Sequence, residues 1–167
     1  MEHGMSHTPN FNVDTMHRWF GVECNNAIFP LLEKVDRTDE ETEEMIALAY
    51  AATVHWKKFS GHTIANSVRG ENMIATALTY AGRKEGSLHH AKRNYDMVVA
   101  NRKDVQDFDV TYAYMVMARS LALNGAKEEA QEFYDKCKAS IEAIQDDEDK
   151  NICRADFEAG PWYGLRS

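Results

Sequence analysis

Along the middle of this chain apolar side chains fall at helical spacing (Ile64, Val68, Ala75, Leu78 and Ala81), and β-branched alternation is scarce. Ala, Met, Leu, Glu and Lys abound, which favours helix. Of three prolines, Pro9 and Pro161 lie near the ends, so the interior is open to long helices. Caps and breakers predict six helical segments. The first runs from Asn12 or Asp14 to Val35, with a kink or interruption near Pro30. The second starts at Thr38, where Glu41 has capping-box spacing, and runs to Phe59, with Gly61 as its stop. This segment is apolar nearly all round, so it is expected to be buried centrally. The third runs from Thr63 to Arg83, and the fourth is capped by Ser87. The fifth is capped by Asp107 or Asp109 and ends at Asn124-Gly125, which suits a left-handed C-terminal cap. The sixth runs from Lys127 to about Gln145, where the acidic run 146–149 is expected to fray it by opposing the macrodipole. Short connections within pairs make consecutive helices antiparallel neighbours.

Two stretches echo each other. In both, Gly precedes Ala by five positions and Ala precedes Tyr by four: Gly86, Ala91, Tyr95 and Gly125, Ala130, Tyr134. The offset between them is 39 residues. Gly at the turn permits positive φ or close approach, and the small Ala lies where two helices of a hairpin touch.

This pattern resembles the tetratricopeptide repeat. Ala118, Leu121, Gly125, Ala130 and Tyr134 fall at that repeat's small, large, Gly, Ala and aromatic positions. The middle unit matches in its second half and departs in its first, with Thr79 and Gly82 at the small and large positions. The first pair, 12–59, matches only as a hairpin. Over residues 50–167 the chain is similar to a family of small bacterial tetratricopeptide-like proteins. The likeness rests on His55-Trp56, Asn66, Arg69-Gly70-Glu71, Leu88 to Arg93, Asp107-Phe108-Asp109, Ala113-Tyr114, Ala118-Arg119 and Trp162 to Leu165. The resemblance implies a right-handed α-α superhelix of three hairpins in one domain, 1–167, and no particular chemistry. Residues 1–11 are expected to be flexible, and 155–167 to form an aromatic C-terminal cap or a subunit contact.

The chain carries 19 basic and 27 acidic residues, a net charge of −8, which argues against general nucleic-acid binding. The sum hides an asymmetry: residues 1–60 are net −5, 61–103 net +4 and 104–167 net −7. The basic centre suits either a binding surface or charge pairing with its neighbours. No apolar run approaches the roughly 20 residues of a membrane span. The three Cys, at 24, 137 and 153, form no CxxC pair and are expected as buried thiols. Without a signal-peptide pattern, the expected location is the reducing cytoplasm.

Three sets of residues could carry chemistry. The first follows from the resemblance, which places the first helix of each pair on a concave face. Arg69, Met73, Thr76 and Tyr80 then face Tyr112, Met115 and Arg119. Aromatic and Met side chains beside Arg suit a peptide or carboxylate-bearing partner. The same side chains could instead be core. Arg119, in an otherwise apolar helix, must be paired or face a cavity, with Asp109 or Glu71 as partner. The second is a polar set, His55, Asn66, His90, Asp107 and Asp109, which could act as an acid/base or metal site if it converged. No HExxH or ExxH pair occurs, so no metal ligand or cofactor is assigned. The third is Met1-Glu2-His3, which could chelate copper or nickel incidentally. The favoured reading is a non-enzymatic binding module. A His/Asp enzyme and a structural homodimer, joined by the tail or the first hairpin, are the alternatives.

Overall fold

The computed structural model describes residues 10–165. These form seven α-helices, with no strand among the described residues: α1 (Val13–Glu33), α2 (Asp39–Lys58), α3 (Ile64–Tyr80), α4 (Lys84–Ala100), α5 (Asp107–Leu123), α6 (Lys127–Ala143) and α7 (Asp147–Ala159). No described helix is long and apolar enough to cross a membrane. The Met1-Glu2-His3 motif, most of the segment 1–11 and the last two residues lie outside the described region.

Local chemistry sets most of the helix starts. Asn12 caps α1 by accepting the Thr15 amide. Thr38 and Glu41 exchange side-chain and backbone hydrogen bonds at the start of α2, and Thr63 and Asn66 do the same for α3. Gly82 and Gly125, at φ 69° and 86°, occupy the left-handed position just past α3 and α5.

Several expectations are corrected. α1 runs through Pro30 without a break and ends at Glu33. There the Arg37 guanidinium caps it, donating to the carbonyls of Leu31, Leu32 and Lys34. α4 begins at Lys84, one turn before Ser87, and Ser87 is buried inside the helix. α5 is preceded by Gln106, whose amide donates to the Asp109 carboxylate one turn in. The acidic run does not fray α6; it opens a seventh helix. Asp146 accepts the Asp149 amide, and Asp147, Glu148 and Asp149 lie in the first turn of α7, where the macrodipole favours negative charge.

The centre is also elsewhere than expected. α2 buries only Met45, Ala49, Ala52 and Thr53, and it exposes Tyr50 and Val54. α5 buries eleven of its 17 residues, because it packs against α3, α4, α6 and α7.

The helices pack in consecutive pairs, α1 with α2, α3 with α4 and α5 with α6. The second and third pairs have helices of equal length that start 43 residues apart (Ile64 and Asp107; Lys84 and Lys127). The structural repeat is therefore 43 residues, and the offset of 39 read from Gly, Ala and Tyr is one helical turn short. A shift of four residues keeps the same helix face, so a face pattern alone cannot separate the two registers. In the structural register Gly82 matches Gly125, and Ser87 matches Ala130; the latter two are fully buried.

α3 and α5 meet through small and polar groups. The Thr79 and Ser120 hydroxyls lie 3.1 Å apart, and Asn72 donates to the Tyr112 carbonyl. The segment after α7 folds back. Trp162 is buried against Phe157 and Tyr134, with ring centroids 4.8 and 4.7 Å away. Of the three tail aromatics, Phe157 belongs to α7 itself.

Candidate functional site

The odd-numbered helices, with Ala49, Ala52, Thr53 and Trp56 of α2, line an open cavity of about 1080 Å³. α1 supplies Phe29 and Leu32, the α1–α2 loop supplies Arg37, and α7 with its following segment supplies Asp156, Pro161 and Tyr163. All seven residues expected on the concave face line it: Arg69, Met73, Thr76 and Tyr80 from α3, and Tyr112, Met115 and Arg119 from α5. The helical register explains this. Positions 69, 73, 76 and 80 are one stripe of α3, and 112, 115 and 119 one stripe of α5.

Their individual roles differ from expectation. Arg69 is already engaged: its Nε and Nη2 donate to the two oxygens of the buried Asp109, at 2.9 and 3.2 Å, and its guanidinium lies over the Phe108 ring. The Tyr80 hydroxyl donates to the Gly160 carbonyl and the Tyr112 hydroxyl to Asp156 Oδ2, each at 2.5 Å. Burial, then the Asp156 hydrogen bond, pushes the Tyr112 phenol pKa far up, so it stays neutral. Met115 is buried in the core cluster of Cys137, Ile141 and Phe157 and also lines the cavity.

Arg119 is 5% exposed. Its expected partners are taken: Asp109 by Arg69, and Glu71 by His90 and Arg93. Among the described residues no carboxylate lies within ion-pair distance of Arg119. Its Nη2 donates to the Asp156 carbonyl at 2.5 Å, and its guanidinium stacks 4.8 Å from the Trp162 ring centroid. Its Nε is buried without a hydrogen-bond partner. Burial pulls the guanidinium pKa below the ordinary arginine value, against the field of Tyr80, Cys137, Asp156 and Tyr112. Arginine starts so high that the charge persists.

Sequence reasoning missed Arg37, the other arginine on this wall. A basic residue just past a helix end signals a cap, which it is, but its approach to Tyr80 depends on tertiary packing. Trp162 is expected from sequence as a cap aromatic, and its stacking on Arg119 has no local signal.

The polar set does not assemble. His55 shares a hydrogen bond with His17, Nδ1 to Nδ1, at 2.9 Å. Burial, then the neighbouring His17 and Lys58, lowers the His55 pKa. Asn66 completes the Thr63 cap, Asp107 pairs with Arg102, and Asp109 holds Arg69. His90 bridges the buried Glu71, at 2.7 Å from Nδ1, to the Tyr50 hydroxyl, at 2.9 Å from Nε2. Among the described residues no group of three or more His, Cys, Asp or Glu side chains is placed to hold a metal ion.

The basic centre is largely consumed by pairing. Arg83 meets Glu43 of α2, Arg69 meets Asp109 of α5, and Arg102 meets Asp107 at the α5 start. Comparison with protein-family models, with curated proteins and with solved structures returns no match.

Proposed function

We propose that this chain is a non-enzymatic binding module whose cavity takes a peptide or other carboxylate-bearing partner. The reading includes a tetratricopeptide-like superhelical arrangement of the three pairs. It is supported by the placement of α1, α3 and α5 around one concavity and by the 43-residue equivalence of the second and third pairs. The observation that carries it is Arg119. A guanidinium buried on a cavity wall with no carboxylate partner is costly unless an anion arrives to pair with it. Nucleic acid fits poorly, because Arg69, Arg83, Arg93 and Arg102 of the basic centre are tied to acidic neighbours. A cytoplasmic location accords with three free cysteines.

The test is a peptide array in which each sequence is presented with a free C-terminal carboxylate and as its amide. Wild-type protein should retain a subset of the free acids and lose them as amides, and Arg119→Gln should abolish the difference. Equal retention of acids and amides would sink the reading.

The homodimer reading has one favouring observation: α1 and its approach expose Phe11, Val13, Trp19 and Phe20. A monomer in sedimentation at high concentration would remove it.

A further inference from the structure

The cavity has an anion end, and its construction says more about the ligand than charge alone. Among the described residues, two buried side-chain polar atoms lack any hydrogen-bond partner: Arg37 Nε and Arg119 Nε. Both residues line the same cavity. Both guanidinium carbons lie 5.9 Å from the centroid of the same ring, Tyr80. Unmade hydrogen bonds on buried donors are expensive and native proteins carry few of them, so two meeting at one tyrosine mark a site completed by something else.

This end is braced. On one side the α1–α2 loop is tied down, with Arg37 holding the α1 carbonyls and reaching the Tyr80 carbonyl. On the other side the segment after α7 is tied down twice. The Tyr80 hydroxyl donates to the Gly160 carbonyl, and the Tyr163 hydroxyl donates to the Thr79 carbonyl at 2.5 Å. Both arginines therefore sit on braced walls of the cavity.

Phe29, Leu32, Met73, Met115 and Val116 give the neighbouring walls apolar surface, with Asn25, Asn26 and Thr76 among them. They stand on helices whose backbone groups are bonded internally, and Asn72 on the same wall is already donating to Tyr112. A peptide entering here would bring an amide N–H and C=O per residue, more polar groups than these few side chains can receive. A hydrocarbon or aromatic body has no such requirement.

We propose that the ligand is an amphiphilic carboxylic acid of small-molecule size, its carboxylate between Arg37 and Arg119 and its apolar body along Met73, Phe29 and Leu32. This narrows the cavity reading above and rests on it. The acid head pairs with the two guanidinium groups on the cavity wall, and the flexible Met73 side chain adapts to the body.

The test is a calorimetric titration of the full chain with decanoate, below its aggregation concentration, and in parallel with decan-1-ol. A set of short acetylated peptides with free carboxylates completes the comparison. Arginine Nε–H resonances, assigned with Arg37→Lys and Arg119→Lys, give a local readout. Decanoate should bind saturably, one molecule per chain, and shift both Nε–H signals. Decan-1-ol should bind about tenfold more weakly or worse, having no charge for the guanidinium groups. Arg37→Gln, whose loss of the α1 cap is followed separately in thermal melts, should weaken decanoate by a similar factor, and Arg119→Lys should do so even if Arg119→Gln fails to fold. Decanoate binding no better than the alcohol, or affinity unchanged by Arg37→Gln, would overturn the proposal. Binding of the peptides without decanoate would overturn it while leaving the cavity reading intact. Binding of neither would remove both.

Discussion

Asp109 holds Arg69 with both carboxylate oxygens across the gap between α3 and α5, while its Oδ2 also accepts the Gln106 amide at 2.9 Å. One buried carboxylate thus starts a helix and joins it to its neighbour. Arg69→Met leaves Asp109 buried with only the amide, and half of Arg69 was solvated to begin with, so the loss should be about 1–2 kcal/mol. Asp109→Ala should cost more, because the cap goes too. Urea denaturation of both variants and of the double variant should show a combined loss smaller than the two single losses together.

Glu71 is the counterpart on the other face of α3. It is buried and meets His90, Arg93 and Lys57. Burial alone would raise its pKa, but hydrogen bonds and charge from His90 and Arg93 outweigh this and hold it below the ordinary glutamate value. A depressed carboxylate contributes stability that is present above its unfolded pKa, about 4.3, and lost as pH falls through the folded value. The wild-type melting temperature should therefore drop steeply below about pH 4.5. Glu71→Gln should be less stable at neutral pH and show a shallower acid limb in thermal melts. An unchanged acid limb would remove Glu71 as a contributor.

Gly70 is required by a close approach. A Cβ there would lie 2.8 Å from Thr53 Oγ1 and 3.1 Å from Thr53 Cγ2. Thr53 is buried and its hydroxyl is bonded to the Ala49 carbonyl, so it cannot give way. Gly70→Ala should destabilise by about 1–3 kcal/mol despite its better helix propensity. Adding Thr53→Ala should recover part of that loss, as measured by chemical denaturation.

The three thiols should differ in reactivity. Burial pushes Cys137 up to about 12 and Cys153 up to about 11, so both stay protonated and covered. Cys24 is raised by partial burial and by Glu23 but remains partly accessible. A chromogenic disulfide reagent should modify one thiol slowly in the native protein and three in denaturant. Rapid native modification of two or three would contradict the placement of Cys137 and Cys153.

The helices and several of their caps were legible because their determinants are local. Thr38 with Glu41, and Asn124 with Gly125, carry their meaning within four residues. The α3 and α5 stripes on the cavity were legible for the same reason, since helical spacing fixes which side chains share a face. Three features were not. The acidic run 146–149 opposes a helix that ends before it and favours one that starts after it, so its sign of effect depends on where the next helix lies. The Gly–Ala–Tyr echo gave the right face one turn out of register. The partners of Arg119 were invisible, because Asp156 and Trp162 are brought to it by a fold-back some forty residues downstream.

The ties that brace the anion end span the longest loops of any hydrogen bond among the described residues. Tyr80 to Gly160 and Thr79 to Tyr163 join positions 80 and 84 residues apart, whereas the helix pairs close over a few residues. Loop-closure entropy makes such contacts late to form and early to open. The helical pairs can be complete while the wall behind Arg119 is still absent. In native-state hydrogen exchange the segment 156–165 should then open as its own unit, at lower free energy than α5. The cavity would gain and lose its braced end on a separate clock from the folding of the domain.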